Sequence, residues 1–152
     1  MTTVFNAPGE LKAAVGRHLG YSDWFEMTQE RIDRFGELTG DRHWVHSDPA
    51  RARSGPFGAC IAHGFLTLSL IGGFLPQILE VKGIRSGVNY VADKLRFLAP
   101  VRVGDLIRCG AELARVKAVK DGIEVMLRLT VELEGSARPP CIMEKLTRYY
   151  PA

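Results

Sequence analysis

The segment of residues 64–79 is apolar on nearly every side, and it constrains the fold more than any other part of the chain. A helix of this kind must be buried on every face. Small residues along it would let another element approach its backbone closely: Ser69, Gly72 and Gly73. Pro76 marks the fraying end of the predicted helix. The rest of the chain must therefore wrap around this helix.

Most of the chain after this helix has the pattern of β-strands. The strand-like runs are residues 88–90, 95–97, 106–119, 123–133 and 141–150. The two longest runs meet at Asp121-Gly122, a dipeptide typical of hairpin turns. We therefore predict the α+β class, with an antiparallel β-sheet folded around the hydrophobic helix. Periodicity alone leaves other α+β packings open.

The first half of the chain is helical in character. Thr28 is a predicted N-cap before an acidic first turn, and Gly40 ends the predicted helix. Between them, apolar residues recur at helical spacing: Ile32, Phe35 and Leu38. Residues 41–58 are rich in His, Pro, Gly and Arg, and we predict a long ordered loop there. Loops of that length inside a compact domain are usually functional.

Size and composition fit one domain spanning residues 1–152. With 46% hydrophobic and 24% charged residues, the chain is not predicted to be disordered. A net charge of +3 is too mild to predict nucleic-acid binding, and no segment has the length and apolar character of a membrane span. The three cysteines form no CxxC pair, so we predict reduced, buried thiols in a cytoplasmic protein: Cys60, Cys109 and Cys141.

The densest polar cluster runs from Asp41 through His46 to Pro49. Asp41 and His46 are five residues apart after a helix end, so a folded loop can bring the carboxylate and the imidazole to one water molecule for acid–base chemistry. A plainer interpretation is that Asp41 closes the turn and His46 only packs. A third is a transition-metal site at His43, His46 and Asp48; because the sequence places no further ligand, we predict no metal.

A second cluster, Cys60-Ile-Ala-His63-Gly64-Phe65, stands where the hydrophobic helix begins. Free N–H groups at a helix N-terminus can stabilise a developing oxyanion, and Gly64 lets a ligand carbonyl approach the backbone closely. The alternative is an ordinary loop-to-helix turn in which His63 is a satisfied buried histidine. Together the two clusters offer what hydration of an enoyl thioester needs: an activated water, a proton for the α-carbon and a donor to the enolate oxygen.

Three ordered blocks resemble the MaoC-like, (R)-specific enoyl-CoA hydratases, also called hydratase 2. The first is Leu38-Thr-Gly-Asp41-x-His-x-Val-His46-x-Asp-Pro49; the others are Ile61-Ala-His-Gly64 and Arg96-Phe-x-x-Pro-Val-x-x-Gly-Asp105. The overall pattern is most similar to the NodN-like branch of this family. Two positions depart from it: His43-Trp44 replaces the usual Asn-Pro, and Gly72 replaces a serine of some members, for which Ser69 would be the substitute.

The resemblance implies a hot-dog fold, a homodimer and a hydro-lyase of fatty acid metabolism. It implies Asp41 and His46 as the catalytic pair that binds water, and Gly64 as the donor to the thioester carbonyl. His63 and Ser69 complete the expected substrate-binding residues. Coenzyme A would be part of the acyl-CoA substrate, so no separate cofactor is expected. Candidate cations for its phosphates are Arg51, Arg53, Lys82, Arg85 and Lys94.

Two other functions are compatible with such a site. A thioesterase would direct the activated water at the carbonyl rather than the β-carbon, and would release a free thiol. A non-catalytic acyl-thioester binding protein would hold the substrate without turnover. The acid–base pair favours the hydratase over the binding protein.

Overall fold

The computed structural model describes residues 1–152 and has the predicted α+β layout, an antiparallel sheet packed on a hydrophobic helix. The α-helices are α1 Gln29–Thr39, α2 Trp44–Ser47, α3 Pro49–Arg53 and α4 Gly64–Ile78, and a 3₁₀ helix covers Pro8–Ala14. The strands are β1 Thr3–Phe5, β2 His18–Tyr21, β3 Phe25–Glu26, β4 Leu79–Val81, β5 Ile84–Phe97, β6 Leu106–Val119, β7 Gly122–Leu133 and β8 Cys141–Pro151.

The main sheet has the strand order β2-β6-β7-β8-β5, with β3 also paired to β6, and every pairing in it is antiparallel. Strands β1 and β4 form a separate parallel pair. The β6–β7 hairpin is confirmed, but Val119 pairs with Gly122, so its turn is Lys120-Asp121. Asp121 takes the left-handed conformation that this turn requires, with φ of 66°.

Alternate residues of the three central strands form the floor of the core. On β7 these are Val125, Leu127, Leu129 and Val131, all almost completely buried. They pack in one cluster with inward side chains of β6 and with the buried stripe of α4: Leu66, Ile71, Phe74 and Ile78. Period-two alternation on the strands and helical spacing on α4 therefore meet in the same core.

Helix α4 begins at Gly64 as predicted and ends at Ile78, with Pro76 inside its last turn. The prediction that it is buried on every face is wrong for the single chain, because the sheet covers only one side of it. Phe65 is 65% exposed, and Ser69, Gly72 and Gly73 also face outward. None of the helices has the length and apolar character needed to cross a bilayer.

Two other predictions are corrected. The segment after α1 is not a continuous loop, because the Asp48 side chain accepts the Arg51 N–H and Pro49 opens helix α3. The short runs at 88–90 and 95–97 belong to the single strand β5, whose bulges against β8 interrupt the apolar pattern. The short strands β1 to β3 were not predicted, because none exceeds four residues.

Candidate active site

The end of α1 positions Asp41. Thr28 caps the start of the helix, and Gly40 ends it in the left-handed conformation, its N–H donating to the Gly36 carbonyl at 2.8 Å. The Asp41 N–H then donates to the Thr39 hydroxyl at 3.3 Å. Its side chain is exposed. The helix end thus turns the Asp41 carboxylate into solvent-accessible space.

The short helix α2 carries His46 and is held from both sides. Gln29 of α1 donates its side-chain N–H to the His46 carbonyl at 2.8 Å. The His46 Nδ1 lies 2.7 Å from the Ile61 carbonyl oxygen, and the Ile61 N–H donates to the Val45 carbonyl. A carbonyl can only accept, so Nδ1 carries the proton and donates it. The Nε2 atom of neutral His46 is consequently an acceptor.

The surroundings of His46 favour this neutral form. Burial is the largest cause that lowers the pKa of His46 below its ordinary value of 6.5, and repulsion from His63 lowers it further. The hydrogen bond to Ile61 and the charge of Asp41 oppose this shift. The net direction is downward, so His46 is a neutral base at pH 7.

His63 lies beneath the pair and is 3% exposed. Its Nε2–H donates to the Asp41 carbonyl at 2.8 Å, and its ring stacks on that of His46 with centroids 3.9 Å apart. Its Nδ1 is buried without a hydrogen-bond partner. A Cβ on Gly36 would come within 2.9 Å of the same Asp41 carbonyl, so the close approach of α1 to this loop requires glycine.

The predicted convergence of Asp41 and His46 is present in the structure. An Asp41 carboxylate oxygen and one ring nitrogen each of His46 and His63 lie within 4.8 Å of one another. They line a groove of about 520 Å³ whose wall holds a single hydrophobic residue, Ile32. A carboxylate and a neutral imidazole acceptor in a polar groove can hold one water molecule by both of its hydrogens.

The alternative metal set of His43, His46 and Asp48 does not form. His43 Nδ1 accepts the Val45 N–H, and the Asp48 carboxylate caps α3. Asp41, His46 and His63 are the residues that could hold an ion instead. However, His63 offers only its buried Nδ1, since its Nε2 is bonded to a carbonyl. The donor set therefore suits a water molecule better than a metal.

Gly64 and Ser69 do not line this groove. Gly64 follows His63 directly, but it borders a separate apolar depression and packs against the Phe97 ring. No protein acceptor is bonded to its N–H. Ser69 donates its hydroxyl to the Phe65 carbonyl at 2.6 Å and faces an apolar cleft further along α4. Their predicted contacts with substrate stay predictions.

Trp44, one of the departures from the family pattern, also lies outside the groove. Its ring packs against Gly55, and the Arg51 guanidinium lies 4.4 Å above it. Of the other four candidate cations for phosphate, none lines the groove either. The cations that do are Arg34 and Arg42 of the α1–α2 region, which sequence reasoning missed. The only indication of them in the sequence was that they lie close to the Asp41–His46 motif.

Other proteins share this sequence pattern. Residues 10–134 match the family described as the MaoC like domain. The 3-hydroxyacyl-thioester dehydratase Z of Mycobacterium tuberculosis is 44% identical over 146 residues, covering 95% of this chain and 97% of that protein. Nodulation protein N of Rhizobium leguminosarum bv. viciae is 36% identical over 136 residues, covering 86% and 83%. The resemblance to the NodN-like branch is thus confirmed.

Solved structures share the fold. The unliganded R-hydratase PhaJ1 of Pseudomonas aeruginosa superposes with a TM-score of 0.71 at 25% identity, covering 91% of this chain and 83% of that one. The sheet packed against one side of α4 is the hot-dog fold that the resemblance implied. Sequence match, fold and the assembled Asp41–His46 pair agree, and this chain belongs to the MaoC-like family.

Proposed function

We propose that this protein is a hydro-lyase that reversibly adds water to trans-2-enoyl-CoA and gives (R)-3-hydroxyacyl-CoA. The observation that carries the proposal is the meeting of the Asp41 carboxylate and the neutral His46 imidazole in a polar groove. Family membership supports the reaction class, since relatives are named 3-hydroxyacyl-thioester dehydratase and (R)-specific enoyl-CoA hydratase. The (R) stereochemistry is supported by such names alone.

In this mechanism the two side chains divide the work on one water molecule. The Asp41 carboxylate takes one proton as the water oxygen attacks the β-carbon. The His46 Nε2 accepts a hydrogen bond from the other water hydrogen and fixes the direction of attack. The abstracted proton returns to the α-carbon with the help of His46, which leaves a hydroxyl on the β-carbon and one added hydrogen on the α-carbon.

The first turn of α4 supplies the remaining requirement. Negative charge develops on the thioester oxygen as water adds, and a preorganised N–H stabilises it. Gly64 is the proposed donor, because its N–H is unbonded and lies at the positive end of a 15-residue helix. Coenzyme A is the thiol carrier of the acyl chain and so a part of the substrate, and the proposal needs no separate cofactor and no metal.

We also propose that the active form is a cytoplasmic homodimer, with each chain of residues 1–152 acting as one domain. Strand β5 is an edge strand of 14 residues with exposed apolar side chains, among them Val88 and Tyr90. Such an edge is a ready surface for pairing with a second copy. Three free, buried cysteines fit a reducing compartment.

The decisive experiment follows loss of the enoyl-thioester absorbance of crotonyl-CoA with the native protein and with Asp41→Asn. We expect turnover by the native protein and a loss of about 100-fold or more in kcat for the variant, because the amide cannot take a proton. Asp23→Asn, at an exposed aspartate outside the groove, is the matched control and should keep native activity.

A free-thiol reagent in the same assay separates the competing functions. Release of thiol from the acyl-CoA would identify a thioesterase, and binding without any loss of absorbance would identify a binding protein. The protein's own three thiols are buried and react slowly, because burial raises the pKa of Cys60, and raises that of Cys109 to about 12 and that of Cys141 to about 11. Full activity of Asp41→Asn would overturn the assignment of the base.

A further inference from the structure

A second cavity of the protein is larger than the polar groove. It is a cleft of about 740 Å³ between α4 and the inner faces of β5 and β8. Most of its lining is hydrophobic, including Leu68 and Leu75 from the helix and Leu127 and Met143 from the sheet. The groove reaches the start of α4 at His63, whereas the cleft begins at Leu68, about 7.5 Å further along the helix axis.

One positive charge lies on the floor of this apolar cleft. Lys145 of β8 is paired across the sheet with Ala92 and Leu127, which line the same cleft. Its Nζ donates to the buried Thr147 hydroxyl at 2.6 Å. An ammonium has three N–H donors, so two of them are left for another partner.

No carboxylate neutralises Lys145. Its neighbour Glu144 points to the opposite face of the sheet, where it pairs with Lys94 and Arg128. The acidic residue of the cleft itself, Glu80, is exposed at the rim and makes no ion pair with Lys145. Burial lowers the pKa of Lys145, which agrees with an ammonium that lacks a counter-charge.

The charge decides which ligand the cleft favours. A plain alkyl chain that fills the cleft would remove water from the Lys145 ammonium without offering it a hydrogen-bond acceptor, which is unfavourable. A chain that ends in a carboxylate would bury the same apolar surface and also bind the two free N–H donors. The lining and the charge together fit an amphipathic ligand with an apolar stem and an anionic end.

We infer that the cleft selects acyl chains carrying a distal carboxylate, so that the preferred substrate is the monothioester of a dicarboxylic acid with Lys145 bound to its free end. This inference rests on the proposed function, because the thioester end of such a chain would lie at Gly64 and the groove. It makes Lys145 a specificity-determining residue with no part in the addition of water.

The test compares kcat/KM for two enoyl-CoA substrates of equal length, one ending in a methyl group and one in a carboxylate. Pairs based on hexenoyl, octenoyl and decenoyl chains cover a range of stem lengths. We expect the native protein to prefer a carboxylated chain about tenfold, equivalent to about 1.4 kcal/mol. Lys145→Met should lose this preference and turn over the methyl-ended chain at least as well as the native protein does.

Two controls keep the inference separate from the proposed function. Lys117→Met, at an exposed lysine of β6 outside the cleft, should keep the native preference. Crotonyl-CoA has no distal end to reach Lys145, so its turnover by the native protein tests the proposed function alone. Absence of crotonyl-CoA turnover by the native protein would contradict the proposed function without touching Lys145.

Binding then decides the inference without turnover. Calorimetry with saturated octanoyl-CoA and its carboxylated analogue, suberyl-CoA, should show tighter binding of the latter to the native protein and equal binding to Lys145→Met. Equal binding to the native protein would overturn the inference. So would a Lys145→Met variant that loses affinity for both ligands alike and changes its mass in solution, since that result would place Lys145 in a contact between subunits.

Discussion

At the residue scale, the candidate chemistry depends on where single protons reside. The Ile61 carbonyl fixes the Nδ1 proton of His46, and burial together with His63 disfavours a second proton on the ring. His63 is in turn fixed by the Asp41 carbonyl. Two backbone carbonyls, from residues 20 apart in the chain, therefore set the hydrogen-bonding state of the two histidines beside Asp41.

This arrangement predicts the pH dependence of activity. Protonation of His46 removes the Nε2 acceptor, so kcat/KM should be flat near pH 7 and fall only below pH 6.5, the ordinary histidine value. In His63→Phe a ring still stacks on His46, but the charge repulsion from His63 is removed, so the pKa of His46 should rise. The fall of kcat/KM on the acidic side should then begin at a higher pH. His18→Phe, at an exposed histidine of β2, is the control. An unchanged onset of this fall in His63→Phe would contradict this role of His63.

At the scale of elements, the site depends on how closely α1 approaches the loop that follows it. The approach is set by Gly36, the residue whose carbonyl also receives the terminal N–H of the helix from Gly40. Helix α2, with only four residues, has no stability of its own and is held by Gln29 and Ile61. Asp41 and His46, the proposed catalytic residues, thus lie on weak local structure supported by stronger neighbours.

The variant Gly36→Ala tests whether the position of Asp41 can be disturbed without a large change in the free energy of unfolding. Alanine favours a helix interior by about 1 kcal/mol, but its Cβ would displace the Asp41 carbonyl that lies 2.9 Å away. We expect urea unfolding to change by no more than about 1 kcal/mol while kcat/KM falls at least about tenfold. Gly73→Ala in α4, with no atom within 4 Å of the new Cβ, should gain stability and keep activity. Native activity in Gly36→Ala would refute this account.

At the scale of the whole molecule, two surfaces of the single chain are left incomplete. One is the outer side of α4, whose apolar sequence predicted burial that its own sheet does not provide. The other is the open edge of β5, at the end of the main sheet. A second copy of the chain would cover exposed apolar surface at such an edge.

The dimer can be tested on that edge. Light scattering should give about twice the chain mass of 16.8 kDa for the native protein. Val88 is 49% exposed on β5 and does not line the cleft, so Val88→Lys should weaken edge pairing and lower the mass towards that of one chain. A native protein with the mass of one chain would exclude the dimer.

Much of this architecture could be predicted from local patterns. The hydrophobic helix, the β6–β7 hairpin and the capped α1 each depend on residues within a few positions of one another. Asp41 and His46 were found the same way, because they are five residues apart in a motif that resembles a known family. Short-range spacing is sufficient wherever the contacts themselves are short-range.

Only the tertiary structure decided which distant residues surround that pair and which face of β8 is inside. Both faces of β8 carry apolar residues: one has Met143 and Tyr149 beside Lys145 and Thr147, and the other has Ile142 and Leu146. The alternation of residues therefore cannot tell which face is buried against α4. Met143 and Leu146 are both buried, but only Met143 belongs to the cluster that includes the α4 side chains, so Lys145 shares the face that α4 covers. Likewise His63 reaches Asp41 across 22 residues. The sequence by itself determined the main helices, the long hairpin and the nearness of Asp41 to His46. Packing between elements decided the rest, because strand pairing and burial depend on all strands at once.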